Sequence, residues 1–227
     1  MRKFWGFYDN GQYRVGCNGG TVYVYDQEEK ELAKFKDIPH AYVGAFQPET
    51  NIFVAKSTAG ALAVYDLDQM KLIRKIKITR MEAQDEGFAF SPDGQFFYNI
   101  EKPVRSTDTQ LTVYRTSDYE KEKVLFEEND RMFLTAIEFD KCTKEGYVLG
   151  FMRGENRVME YGFIGKFTGD DVFGIKRIPD AEYDYIHAYK DWEKSGYTPK
   201  KLEWCRVREY DPKPHVSLKQ TYDGQIE

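Results

Sequence analysis

The side chains able to do chemistry are dispersed along this sequence. His40, His187 and His215 have no ligand spacing to one another or to a cysteine, and a zinc site needs at least three converging donors. Cys17, Cys142 and Cys205 are odd in number and lack CxxC spacing. They make neither a disulfide framework nor a metal site, and reduced thiols point to the cytoplasm. Ser57, Ser91, Ser106, Ser117, Ser195 and Ser217 lack the GxSxG elbow of an activated nucleophile. Gly16, Gly19 and Gly20 imitate a phosphate loop, yet no helix and no Lys-Ser/Thr follows them. Asp93 and the Asp170-Asp171 pair sit in turns, where solvated carboxylates are ordinary. The expectation is no catalytic residue, no metal and no cofactor.

Another set of residues suggests binding. His40, Arg80 with Met81, and Arg131 with Met132 recur at one kind of position; Lys56, Lys102 with Arg105, and Arg153 recur at a second. Arg makes bidentate contacts to carboxylate or phosphate, and Met adapts to varied surfaces. Gathering them in space requires a repeating scaffold.

The repeat is visible around Phe90-Ser91-Pro92-Asp93-Gly94, a strand end and tight turn followed by a second strand. Phe7, Phe46 and Phe139 begin similar segments, so the anchors are 39, 44 and 49 residues apart. A third strand follows each anchor: Thr21–Asp26, Leu62–Leu67, Leu111–Thr116 and, more weakly, Val158–Phe163. The first three alternate β-branched, aromatic and small residues with the period of two expected of a strand. A charged fourth strand closes the first three units, at Glu31–Lys36, Lys71–Lys77 and Glu122–Glu127; lysines suit an outer edge, where they discourage further pairing. Four strands per unit and a period of about 40–50 residues predict an antiparallel meander stacked as in a propeller.

Over residues 3–165 these motifs resemble the WD-repeat and related β-propeller families. Tyr25-Asp26 and Tyr65-Asp66 stand where those families have Trp-Asp, Tyr114-Arg115 and Tyr161-Gly162 replace it later, and no unit has the Gly-His dipeptide. The resemblance implies an all-β fold: a small WD-like β-propeller or partial propeller of four four-stranded repeats. It also implies that strand-to-strand loops share a rim, which would collect His40, Lys56, Arg80, Met81, Arg105, Arg131, Met132 and Arg153.

The expected organisation is four repeats over residues 1–178, divided at about 1–39, 40–81, 82–131 and 132–178, then a C-terminal helix plus β-hairpin over 179–227. Asp180 reads as the helix N-cap and Gly196 as its left-handed stop. Tyr185, Ile186, Tyr189 and Trp192 form an apolar stripe that packs on the propeller or, through Trp192, anchors a partner. Leu202–Tyr210 and His215–Tyr222 read as the hairpin. This segment closes the ring, forms a fifth blade or caps one face.

The chain is 41% hydrophobic and 31% charged, which fits a folded soluble protein, and its formal charge of -5 argues against wholesale attraction to nucleic acid. No run is long enough to span a membrane, and the start has no apolar signal region. The expected function is a non-enzymatic, cytoplasmic protein–protein interaction module, a scaffold, accessory subunit or inhibitor, that docks an acidic partner protein through its rim. Self-association would follow from an incomplete ring. The alternatives are a lactonase-like propeller hydrolase with a metal in its central channel and, weaker, an accessory subunit of a nucleic-acid complex.

Overall fold

The computed structural model describes residues 3–77, 87–102, 108–126, 131–168, 171–196 and 215–225. Sixteen strands form four antiparallel meanders. The first sheet is β1 (Gly6–Asp9), β2 (Arg14–Cys17), β3 (Val22–Tyr25) and β4 (Glu31–Phe35); the second is β5 (Ala41–Phe46), β6 (Ile52–Ser57), β7 (Ala61–Asp66) and β8 (Lys71–Lys77). The third is β9 (Phe88–Phe90), β10 (Phe96–Glu101), β11 (Gln110–Arg115) and β12 (Lys121–Leu125); the fourth is β13 (Met132–Phe139), β14 (Gly146–Arg153), β15 (Met159–Thr168) and β16 (Asp171–Ile178). Among the described residues two helices follow, α1 (Asp180–Glu193) and α2 (Leu218–Gly224).

The chain divides into two compact units, Met1–Asp85 with Trp192–Lys213, and Glu86–Asp191 with Pro214–Glu227. In the first unit, sheets one and two share a core. Val15, Cys17, Val22 and Val24 from one meet Phe53, Ala55, Ala63 and Tyr65 from the other. In the second, Tyr98, Ile100, Leu111 and Val113 of sheet three pack on Leu134, Val148, Phe163 and Phe167 of sheet four. Each large side chain so buried contributes about 1.5–3 kcal/mol. The alternation read from the sequence is what delivers them: Val22 and Val24 point inward while Tyr23 between them stays half-buried.

Strand pairing revises the repeat. Phe46 pairs with Phe53 and Phe90 with Phe97, their rings 5.1 and 4.9 Å apart. The equivalent pair in sheet one is Asp9 and Arg14, joined by an ion pair at 3.2 Å. Asp9, and not Phe7, is therefore the first anchor. In sheet four the partner of the second-strand position Gly146 is Phe167, so Phe167 takes the place that sequence alignment gave to Tyr161. β15 is ten residues long, and the extra length hid this register.

A β-bulge interrupts the pairing of third and fourth strands in every sheet. The unpaired extra residues are Leu32, Ile73, Glu122 and Gly174. The first three fall at the same step, between a Val and a Tyr of the third strand, and the fourth falls one pair earlier.

Part of the C-terminal segment covers a face of sheet four. Tyr183 and Ile186 of α1 and Leu218 of α2 cover Ala136, Tyr147, Leu149, Ile164 and Ile178. The helix approaches so closely at Gly162 that a Cβ there would lie 2.6 Å from Cβ of Tyr183. Ile186, Tyr189 and Trp192 are buried, but Tyr185 is exposed and Tyr183 takes its place in the stripe. Asp180 is the first helical residue rather than a cap outside the helix, and Gly196 has the left-handed φ of 69°. The predicted strand over His215–Tyr222 is incorrect. Ser217 caps a helix there, its side chain accepting from Gln220 N, and Glu138 accepts from Leu218 N at 3.1 Å. These local and tertiary bonds outweigh the strand propensity of the segment. Leu202–Tyr210 lies outside the described residues.

Candidate functional site

Expected rim residues were His40, Lys56, Arg80, Met81, Arg105, Arg131, Met132 and Arg153, with Trp192 on the helix. Arg80, Met81 and Arg105 lie outside the described residues. The others divide into buried, paired and exposed side chains. Lys56 is fully buried near the end of β6, and Met132 and Trp192 are buried as well, so these three offer no surface to a partner. Met132 belongs to the core shared by sheets three and four.

Arg131 and Arg153 do come together. Arg153 N donates to Arg131 O at 2.8 Å, and Arg131 Nε donates to Arg153 O at 2.6 Å. They are not a bare basic patch. Arg131 pairs with Glu160, and Arg153 pairs with Asp108 at 3.3 Å. The Arg153 guanidinium also lies 4.3 Å from the centre of the Phe133 ring, which stacks on Phe151. Cation–π contact and an acid partner make this a mixed-charge network with Arg153 largely buried in it.

His40 stands differently. It occupies the linker into β5 with a left-handed φ of 54° and is exposed. Its Nδ1 is 3.4 Å from Tyr42 Oη, and Trp5 packs edge-on against the other side of Tyr42 at a ring separation of 5.6 Å. Trp5 remains 38% exposed. The Tyr42 ring rests on Gly19, which has φ of 88° and bridges to Ala41, so no side chain could occupy that position. Trp5, Tyr42 and His40 thus form an aromatic corner held by backbone pairing. Sequence reasoning missed Trp5 and Tyr42; Tyr42 is two residues from His40, but Trp5 is remote from both in the sequence.

The turn acids have assigned work. Asp26 Oδ1 accepts from Glu28 N and Lys30 N at 3.1 and 2.8 Å, and Asp66 Oδ1 accepts from Gln69 N at 3.0 Å. The aromatic-Asp pairs therefore end the third strand by capping its turn. Asp93 does the same between β9 and β10, accepting from Ser91 Oγ and Gln95 N, and the Ser91 hydroxyl holds its carboxyl below the ordinary range. His187 stacks on Tyr183, and His215 Nδ1 is 3.2 Å from Tyr189 Oη. Burial pushes the Tyr183 phenol up to about 12 and raises the Cys17 thiol well beyond reactivity near neutral pH. Among the described residues no three His, Cys, Asp or Glu side chains converge as metal ligands.

One polar centre was not foreseen. On a single face of sheet three, Asn99 lies opposite Thr112, Glu101 opposite Gln110 and Phe97 opposite Tyr114. Glu101 Oε1 accepts from Tyr114 Oη at 2.6 Å and Asn99 Nδ2 at 3.0 Å, and Oε2 accepts from Thr112 Oγ1 at 2.8 Å. All four residues are buried. Burial, then the neighbouring carboxylate, raises the Tyr114 phenol far above its ordinary value. A carboxylate so bonded has little acceptor capacity left for substrate. Its signal was present in the alternation Asn99-Ile100-Glu101 against Gln110-Leu111-Thr112, which puts the polar residues on one face.

No protein-family model matches this chain, and no curated protein matches it. A solved structure of hydrazine synthase from Kuenenia stuttgartiensis is similar over 75% of this chain, with 16% sequence identity and a TM-score of 0.60. The chain spans about half, 52%, of the length of that one. At this identity the likeness shows the fold alone: an all-β, propeller-like arrangement of four-stranded antiparallel sheets.

Proposed function

We propose that this protein is a non-enzymatic interaction module of WD-like type, working in the cytoplasm as a scaffold, accessory subunit or inhibitor. It docks a partner protein through loops at the ends of its sheets. The observation that carries this reading is the aromatic corner of Trp5, Tyr42 and His40. Trp and Tyr supply large contact area for little ordering cost and are common hot spots. Here they are set by strand pairing and lie half-exposed. The free thiols Cys17 and Cys142 support a reducing compartment, and no described helix is long and apolar enough to cross a membrane.

The test is partner capture with tagged chain, followed by reconstitution of the complex from purified components. Trp5→Ala with His40→Glu should weaken the reconstituted complex by at least about tenfold, the range of hot-spot truncation. Reversal of Arg80, Arg131 and Arg153 to Glu tests the basic rim itself. Complexes that survive both sets of changes unaltered would remove the rim from the proposal.

A further inference from the structure

The outer strand of sheet two, β8, has a charge pattern unlike its equivalents. Lys71, Arg74, Lys75 and Lys77 stand within seven residues with no acid among them, in a chain of formal charge -5. On the other outer strands, cations have acids, carbonyls or rings beside them. In β4, Lys34 pairs with Glu31 at 2.8 Å. In β12, Glu122 sits between Lys121 and Lys123 and receives Arg115. In β16, Lys176 Nζ donates to Gln225 O at 3.0 Å and Arg177 covers Tyr161. Along β8, Lys75 Nζ donates to Asp37 O, while Lys71, Ile73, Lys75 and Lys77 are all exposed. Lys71 lies opposite Asp66, whose Oδ1 is committed to Gln69 N.

Ile73 completes the pattern. It is the bulge residue and is 47% exposed, an apolar side chain flanked by cations on both sides. The bulge breaks the regular backbone ladder, and the lysines repel a second copy of the same edge. Both features select against strand addition by an arbitrary chain. They leave recognition to side chains, where opposite charge is favoured and like charge costs.

We infer that β8 is a docking edge for an extended acidic segment of a partner protein, in which apolar residues alternate with Asp or Glu so that one apolar side chain meets Ile73. This inference rests on the interaction-module reading but uses a surface separate from the aromatic corner.

The probe is a fluorescein-labelled peptide of about eight residues alternating Glu and Leu, the length of one strand, titrated into the intact protein and followed by anisotropy. Lys71→Glu with Lys77→Glu should weaken binding at least about tenfold, and Ile73→Ser about threefold, each falling further with added salt. Lys36→Glu with Lys121→Glu, the same charge change on other exposed positions, should leave binding within about twofold. Equal loss in both reversals, no binding of the peptide, or equal binding of single-stranded DNA or of vesicles rich in anionic lipid would overturn the inference. In the reconstituted complex, loss on β8 reversal with none on the Trp5 and His40 changes would keep β8 and discard the corner; the opposite result would do the reverse.

Discussion

The outer strands β8 and β16 end equivalent sheets and use their cations in opposite ways. In β16, Lys176 reaches the chain's own C-terminal segment: it lies 4.7 Å from the centre of the Tyr222 ring, and Tyr222 also meets Tyr147 edge-on. β8 leaves Lys71 and Lys77 exposed and, among the described residues, commits Lys75 to the carbonyl of Asp37. The same edge position can therefore fasten a capping helix or present a row of cations. What decides is whether a covering segment supplies aromatic faces and carbonyls within reach.

That contrast can be broken from the covered side. Gly162→Val should have the largest effect, about 3 kcal/mol lost in denaturant unfolding, because the added side chain meets Tyr183 backed by the helix. Glu138→Gln comes next. Its carboxylate accepts from Lys190 Nζ at 2.5 Å, Ser217 Oγ at 3.1 Å and Leu218 N at 3.1 Å, so it ties both helices to β13. Lys190 is buried while Glu138 is partly exposed, and about 2 kcal/mol should be lost. Hydrogen exchange should quicken in α2 and stay unchanged in β5–β8.

Acid should distinguish the sheets more gently. Lys166, with help from Tyr147 and Thr143, holds the Glu145 carboxyl below its ordinary value of 4.5. A lowered folded value means that the stabilisation is complete above the ordinary value and is lost as pH falls through the folded one. Thermal stability should therefore begin to fall below about pH 4.5, and Lys166→Met should remove that part of the fall. The smallest effect is expected at Lys144, a non-glycine residue with φ of 62°. Lys144→Gly should raise stability by up to about 0.5 kcal/mol, because strain is relieved while the unfolded chain gains freedom.

The fold was legible where one physical signal dominated. Alternation in Val22–Tyr25 and Leu111–Tyr114 and the Asp-bearing turns gave the strands and their period. Register was harder, because Asp9–Arg14 replaces a Phe–Phe pair with an ion pair and shares only the position. The C-terminal strand at His215–Tyr222 misled because α2 depends on Glu138, 80 positions away from Leu218. For the site, charge and loop position put Arg131 and Arg153 on one expected rim. They could not show that Asp108 and Glu160 would occupy them, nor that Lys56 would be buried. Trp5 and Tyr42 converge through the pairing of Gly19 with Ala41 and the close approach of Gly6 to Tyr42, contacts without a motif.

The recurring bulge has a consequence for the chain while it is being made. Synthesis delivers the sheets one after another, so each completed meander waits with its fourth strand bare. A regular bare strand would serve as a template for whichever strand emerged next, from the same chain or from a neighbouring nascent one. Leu32, Ile73, Glu122 and Gly174 each place one unpaired residue in that margin, and a displaced ladder is a poor template. The repeat thus carries its own stop signal against mispairing between units of the same strand pattern, a hazard that grows with the similarity of neighbours.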